Sequence, residues 1–240
     1  MKIVLIAGGL GTRISEETED KPKPMVLIND RPIIWHLMNI FSLQGFNEFI
    51  ISTGYKSEVI ENWVCNNKIV DLNSNIMHIS TLNTGLNTQT GGRISEVMKK
   101  FPNEKIIATY GDGLANISIE KLLAFHESHG KLATVTAVRP PARFGYMKIE
   151  DCVVTHFGEK NQSDEGWING GFFVLEPEVK DFVYSNQEPF ETGGLVRLTN
   201  QVQLMAYQHS GYWQPMDTLR EKKALEKLAL EPTPPWFNFH

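Results

Sequence analysis

Apolar positions along the chain follow two alternating rhythms. Ile3-Val4-Leu5-Ile6-Ala7 is an unbroken, largely β-branched run, the mark of a strand covered on both faces of a parallel sheet. Residues 32–43 then carry apolar side chains at helical spacing, with Gly45 as the stop. The same reading predicts a strand over 48–53, a helix over 57–64, a helix starting at Ser95 and running to Lys100, and a strand over 105–110. A helix over 118–128 and a strand over 133–138 follow. Strands alternating with helices in this way predict an α/β fold with a doubly wound, mostly parallel sheet. Past Arg139 the alternation weakens: 146–149 and 153–157 read as a hairpin, 170–175 as a strand, 177–184 as a helix, 203–208 as a strand and 218–230 as a last helix. No linker, repeat or low-complexity tract interrupts the chain, so residues 1–240 read as one domain.

Composition narrows the function classes. A net charge of −5 on 240 residues argues against a nucleic-acid binder that works by neutralising phosphates. No apolar run approaches the ~18 residues of a membrane span, and the opening run is too short for a signal-peptide core. A cytoplasmic protein is therefore expected. Cys65 and Cys152 have neither metal-ligand spacing nor a disulfide framework. Against this acidic background, Arg13, Lys21 and Lys23 cluster near the start and point to a local anion site.

The chemistry-bearing stretches sit beside the strands. Gly8-Gly9-Leu10-Gly11-Thr12-Arg13 directly follows the first strand. Glycines there let the backbone approach a phosphate chain and offer it N–H donors, and Arg13 adds a fork of donors; a plain tight turn is the alternative. Lys21-Pro22-Lys23-Pro24-Met25 holds two lysines on a stiffened segment, or else a solvated lysine. A Walker A loop is excluded because Thr12-Arg13 follows Gly11, and a dinucleotide fingerprint because Ile14 stands where its third glycine belongs. Tyr110-Gly111-Asp112-Gly113 puts a carboxylate at the end of a predicted central strand, where ligands of open α/β sheets bind; Asp112 could equally form a turn. Asp217 precedes the last helix, either as an N-cap or as a second metal ligand. Two such aspartates suit one Mg²⁺, which takes few protein carboxylates and keeps waters and phosphate oxygens.

These stretches, together with Trp35-His36-Leu37-Met38, Thr90-Gly91-Gly92-Arg93, Arg143-Phe144-Gly145, Asn169-Gly170-Gly171-Phe172-Phe173 and 212–220, resemble in order and over nearly the whole chain the sugar-phosphate nucleotidyltransferases. Within them the resemblance runs to the glucose-1-phosphate cytidylyltransferase branch. It implies a Rossmann-like nucleotidyltransferase fold with a nucleotide-binding half near 1–115 and an acceptor-binding half near 116–218. It implies CTP and α-D-glucose 1-phosphate as substrates, Mg²⁺ as cofactor, CDP-glucose and pyrophosphate as products, and a homo-oligomer. By the same resemblance Ala7, Gly8, Gly9, Leu10, Gly11, Thr12, Arg13, Lys23, Gly92 and Gly111 bind the nucleotide, with Thr88 and Arg93 near the base. Arg13, Lys23 and Asp112 carry catalysis, and Asp112 and Asp217 hold the metal. Tyr110, Gly145, Glu159, Lys160, Asn169 and Gly170 face the acceptor. An arginine offers only donors, which suits cytosine's O2 and N3 acceptors better than uracil, whose N3 is a donor; the bland alternative for Arg93 is a surface arginine. The chain departs from the family pattern at a shortened 77–84 segment, at Glu159-Lys160-Asn161 and at Glu191-Thr192-Gly193-Gly194, where a carboxylate is replaced by glycine. No histidine has a catalytic task in this reading: His126 and His129 are expected to be solvated, His36 packed, and Lys23 to lie outside the core.

Overall fold

A computed structural model of the protein describes residues 1–140, 145–150, 153–159 and 166–239. Its regular elements are β1 (Lys2–Ile6), α1 (Ser15–Thr18), β2 (Leu27–Ile28), β3 (Arg31–Pro32), α2 (Ile33–Ser42), β4 (Glu48–Thr53), α3 (Ser57–Asn66), β5 (His78–Asn83), α4 (Thr90–Lys100) and β6 (Ile106–Tyr110). They continue with β7 (Gly113–Ala115), α5 (Ile119–His129), β8 (Ala133–Val138), β9 (Gly145–Glu150), β10 (Val153–Glu159), β11 (Ile168–Leu175), α6 (Gly194–Asn200), β12 (Leu204–His209), β13 (Trp213–Pro215) and α7 (Leu219–Leu228).

Seven strands form one sheet in the order β12-β8-β11-β6-β1-β4-β5. All neighbours in it are parallel except β11, which runs antiparallel between β6 and β8. This is the mixed, mostly parallel sheet that the apolar rhythm predicts. Alternate residues of each strand enter two different cores. Ile3, Leu5, Phe49, Ile51, Ile107, Phe172 and Val174 pack with α2 and α5 on one face. Val4, Ile6, Ile50, Ile106, Ala108, Phe173 and Leu175 pack with α4 and α6 on the other. A strand buried on both faces favours apolar residues at every position, which is why β1 reads as an unbroken run.

The topology fixes where a ligand can go. After β1 the chain adds β4 and β5 on one side, then returns to place β6 on the other side of β1. The crevice at such a reversal opens beyond the carboxyl ends of the strands, here at the loop after Ile6 and at Gly111-Asp112. On the far side of β6, the pairing of β11 with β8 is irregular between Asn169 and Phe173. Gly171 sits there at φ 81°, and a Cβ on it would come within 2.5 Å of the Tyr110 ring, so glycine is required twice over.

Several elements differ from expectation. The helix expected from Ser95 begins at Thr90, and 177–184 is a 3-10 segment over Pro177–Phe182. The edge strand β5 and the small β7–β13 ladder have no counterpart in the sequence reading. Beyond α7, Trp236 is fully buried, with its ring 5.6 Å from that of His36. Among the described residues no helix is long and apolar enough to cross a membrane.

Candidate active site

A cavity of about 890 Å³ opens at the topological reversal. One wall is the loop after β1. Gly11 adopts φ 66°, and a Cβ on it would come within 3.0 Å of Thr18 and 3.2 Å of Lys23; a larger residue would be strained there. Thr18 Oγ1 donates to the carbonyls of Gly11 and Ile14, both at 3.2 Å, and ties the loop to the short α1. Ala7, Gly9, Gly11, Thr12 and Arg13 line the cavity. The backbone N–H groups of Gly8, Gly9, Leu10 and Gly11 bond to no other group among the described residues. Unengaged backbone N–H groups beside a cavity can serve a phosphate chain as donors.

The opposite wall carries the carboxylates. Asp112 follows β6 and Asp217 follows β13, and the two are brought together by antiparallel pairing of Gly113 with Pro215 and by a bond from Met216 N to Asp112 O at 2.9 Å. Lys23 reaches between them from a 3-10 turn opened by Pro22. Its Nζ lies 2.5 Å from Asp112 Oδ2 and 2.7 Å from Asp217 Oδ1. Arg13 Nη1 donates to Asp217 Oδ2 at 3.0 Å from the open side. Lys23 is only 8% exposed, which corrects the expectation that it lies outside the core. Burial works against its charge, yet the two aspartates outweigh burial and raise its pKa. Burial likewise opposes the charge of Asp217, and the bond from Lys23, helped by Arg13, holds its carboxyl below the usual range. Asp217 is not the helix cap: Thr218 caps α7, in a capping box with Glu221. An ammonium bridging two carboxylates from separate segments shows that the pair is close enough to share one positive charge. Two carboxylates, with no group of three or more His, Cys, Asp or Glu among the described residues, fit Mg²⁺, which completes its shell with water and phosphate oxygens.

The far end of the cavity is polar without being charged throughout. Tyr110 Oη donates to Glu191, and Asn169 Nδ2 donates to Tyr110 Oη at 3.3 Å. Thr90 Oγ1 donates to the other oxygen of Glu191 at 2.7 Å. Burial first, and the charge of Glu191 second, push the Tyr110 hydroxyl's pKa up, so it stays a neutral donor. Trp213 Nε1 donates to Gly170 O at 2.8 Å and fastens β13 to β11. Alternating donors and acceptors of this kind match a polyhydroxylated ligand.

A sequence model of the family described as "Nucleotidyl transferase" matches residues 2–219. This chain belongs to the nucleotidyltransferase family. It is 42% identical over 253 aligned positions to a glucose-1-phosphate cytidylyltransferase of Salmonella typhi, covering 98% of both chains. Among solved structures it is similar to HddC from Yersinia pseudotuberculosis complexed with GMP-PN, with a TM-score of 0.68, 25% identity and coverage of 94% and 98%. UDP-glucose pyrophosphorylase complexed with UDP-glucose shares the fold, with a TM-score of 0.69, 18% identity and coverage of 94% and 97%. The protein is a nucleotidyltransferase enzyme.

On this nucleotidyltransferase the cavity gathers Ala7, Gly9, Gly11, Thr12, Arg13, Lys23, Tyr110, Gly111, Asp112, Asn169, Gly170 and Asp217, all singled out in the sequence. It adds Glu191 at the far end, beside Tyr110 and Thr90. The replacement at Gly193-Gly194 does not strip this end of its carboxylate, because those glycines pack elsewhere: Gly193 lies against the Glu188 side chain, which pairs with Arg197. Thr88, Gly92 and Arg93, all expected to bind the nucleotide, are not on the cavity wall. Thr88 Oγ1 donates to Thr84 O at 2.5 Å. Gly92 is pressed against the backbone of Asn186. Arg93 is 2% exposed, neither at the surface nor open to a base, and donates to Gly8 O, Thr53 O and Thr84 Oγ1. Leu10 points outward, 53% exposed. Gly145 pairs with Glu159 across the β9–β10 hairpin, while Lys160 and Cys152 lie outside the described residues.

Three histidines take part in packing and side-chain hydrogen bonds. His36 is packed as expected, its Nε2 3.2 Å from Ile28 O. His126 is buried rather than solvated: its Nδ1 meets Thr134 Oγ1 at 2.8 Å and its Nε2 meets Glu176 at 3.1 Å. His129 joins the same hydroxyl at 2.8 Å.

Proposed function

We propose that this nucleotidyltransferase moves the CMP unit of CTP onto α-D-glucose 1-phosphate, giving CDP-glucose and pyrophosphate. The observation that carries the reading is the convergence of Asp112 and Asp217 on one cation position beside a loop of unengaged N–H groups. The choice of CTP and glucose 1-phosphate is supported by the 42% identity to the Salmonella enzyme and by the hydroxyl-matching group of Tyr110, Asn169 and Glu191.

In the proposed reaction an oxygen of the sugar's phosphate forms a bond to the α-phosphorus of CTP as the bond to the bridging α–β oxygen breaks, and that oxygen leaves with pyrophosphate. A phosphate monoester is largely dianionic at neutral pH, with its second pKa at about 6, so no general base is needed. The loop from Gly8 to Arg13 binds and orients the triphosphate through backbone N–H groups, and Arg13 and Lys23 offset its charge as it shifts to the leaving group. Asp112 and Asp217 would hold Mg²⁺, which supplies further charge neutralisation at the phosphates. Tyr110, Asn169, Gly170 and Glu191 orient the acceptor, and the family resemblance assigns Gly145, Glu159 and Lys160 to it as well. We further propose a cytoplasmic homo-oligomer, the assembly being checked by light scattering.

The test crosses CTP, UTP, dTTP and GTP with a panel of sugar phosphates in a coupled pyrophosphate-release assay. CTP with glucose 1-phosphate is expected to give the highest kcat/KM. A clear preference for another triphosphate or another acceptor would overturn that half of the reading.

A further inference from the structure

The ladder that brings Asp112 and Asp217 together is short and stands apart from the main sheet. β7 and β13 pair Gly113 with Pro215, Leu114 with Gln214 and Ala115 with Trp213, and neither strand joins the seven-stranded sheet. A two-stranded ribbon is marginal by itself in water, so its shape depends on what it rests against. Trp213, which lines the cavity, is fastened to Gly170 O. Leu114, Ala115 and Met216 are instead fully buried, in the core that also holds Trp236.

After Asp217 the chain runs through α7 and comes back as a 3-10 turn over Pro235–Phe237, which lies against both β7 and α2. This returning segment holds the two strands of the ladder at once. On the β7 side, Asn116 Nδ2 donates to Asn238 O at 2.9 Å. On the β13 side, the Trp236 ring lies 6.1 Å from that of Tyr212, the residue just before the strand. Tyr212 O in turn accepts from Asn116 N at 3.1 Å and so extends the ladder by one bond. Because Asn238 O can only accept, the Asn116 amide is fixed with Oδ1 toward Gly211, where any Cβ would overlap it.

The carboxylates stand at the other end of this ladder, Asp112 just before β7 and Asp217 just after β13. A shift of one strand against the other therefore changes the spacing of the two carboxylates directly. Mg²⁺ tolerates such a change poorly, because it demands near-ideal octahedral geometry. We infer that the C-terminal segment, through Trp236 and its bond to Asn116, is a positioning element for the metal: it sets β7 against β13 and thereby the spacing of Asp112 and Asp217. The inference rests on the reading of those two aspartates as the Mg²⁺ ligands. Trp236 and Asn116 are positioning residues, acting only through the strands they brace.

The test reads the metal separately from turnover. Mn²⁺, used in place of Mg²⁺, is titrated into the metal-free protein without nucleotide, and the free ion is followed by electron paramagnetic resonance. The proteins compared are the wild type, Trp236→Ala, Trp236→Phe, Asn116→Ala and Asp217→Asn, with folding checked by circular dichroism. Trp236→Ala and Asn116→Ala are expected to weaken Mn²⁺ binding about tenfold, the lower end of what partners that orient metal ligands contribute. Trp236→Phe keeps an aromatic ring and drops an indole N–H that has no partner, so it should bind Mn²⁺ nearly as the wild type does. In turnover the two alanine variants should need about tenfold more Mg²⁺ for the half-maximal rate. They should recover most of the wild-type rate at saturating Mg²⁺, with KM for the sugar phosphate unchanged. Asn116→Ala decides the matter if Trp236→Ala does not fold. Lowered melting temperatures with Mn²⁺ affinity intact would overturn the inference and leave the segment as packing alone. A lowered rate that excess Mg²⁺ does not recover would overturn it as well. A wild-type protein that bound no Mn²⁺, or an Asp217→Asn variant that bound it equally well, would instead remove the metal reading on which the inference rests.

Discussion

The ammonium of Lys23 lies 2.7 Å from Asp217 Oδ1 although 194 residues separate the two in the chain. With Asp112 on its other side, this lysine holds two carboxylates that would otherwise repel each other in a partly buried cleft. Lys23→Ala should therefore do two things. Turnover should drop by about 10²- to 10³-fold, as for removal of one fixed charge facing a transition state. In metal-free buffer the variant should also lose about 1–3 kcal/mol of stability, because its carboxylates are left uncompensated. Millimolar Mg²⁺ alone should raise the melting temperature of the variant more than that of the wild type. Thermal scans with and without the ion read this directly, and equal stability of the two proteins in metal-free buffer would contradict the bridging role.

Asp217→Asn keeps the shape of the side chain and removes its charge. Thr218 and Glu221 cap α7 without it, so the fold should survive with an unchanged circular dichroism spectrum. Turnover at saturating Mg²⁺ should fall by about 10²-fold or more. Wild-type rates under those conditions would remove Asp217 from the metal site.

Glu191 touches Tyr110 and Thr90 at the proposed acceptor end. Glu191→Gln should raise KM for the sugar phosphate up to about tenfold, the scale of one hydrogen bond at ~0.5–1.5 kcal/mol. KM for the triphosphate should hardly move. An effect confined to the triphosphate would mean that the acceptor lies elsewhere.

His36 offers a test by pH. Burial first, and then the nearby charge of Arg31, pull its pKa down to about 4 against the backbone bond to Ile28. Its Nδ1 is buried without a partner, so a second proton has nowhere to bond. Between the folded value and the unfolded value of about 6.5, the unfolded chain binds the extra proton and the folded chain does not. The stability this residue contributes is present above pH 6.5 and is lost as pH falls toward 4, at up to about 1.4 kcal/mol per pH unit. Denaturant titrations of wild type and His36→Leu across that window should differ in slope, the variant being flatter. Parallel curves would show that His36 does not titrate between the two states.

The parts of this fold legible in the sequence are those in which one physical demand dominates. A strand with both faces buried favours apolar residues at every step, so β1 stands out as an unbroken run, while β4, β6 and β8 keep mainly apolar or β-branched residues with a few buried Ser and Thr among them. The β5 edge strand is polar and half-exposed, and offers no such pattern. The start of α4 is hidden by Gly91 and Gly92, poor helix formers. They are there because the backbones of Glu188 and Asn186 press on them, a Cβ at Gly91 coming within 2.7 Å of Glu188 O. Trp236 follows a proline-rich stretch that suggests a loose end, yet its ring fills the space beside His36 and Tyr212. At the site, the glycine loop and the two aspartates are visible as motifs. The position of Glu191 is not, because the bond to Tyr110 that places it depends on two segments 81 residues apart. Arg93 looks like a helix-surface residue until Gly8 and Gly54 are seen to make room for it.

The short ladder between β7 and β13 has a consequence for the order in which the enzyme is made. Asp112 and the glycine loop leave the ribosome early, but their partner arrives only when residue 217 has emerged and Pro215 has paired with Gly113. Until then Lys23 faces one carboxylate instead of two. A chain arrested before that point can build β1, β4 and β6 and still lack one of the two carboxylates, so the pair that we propose for the cation is assembled only once residue 217 is in place.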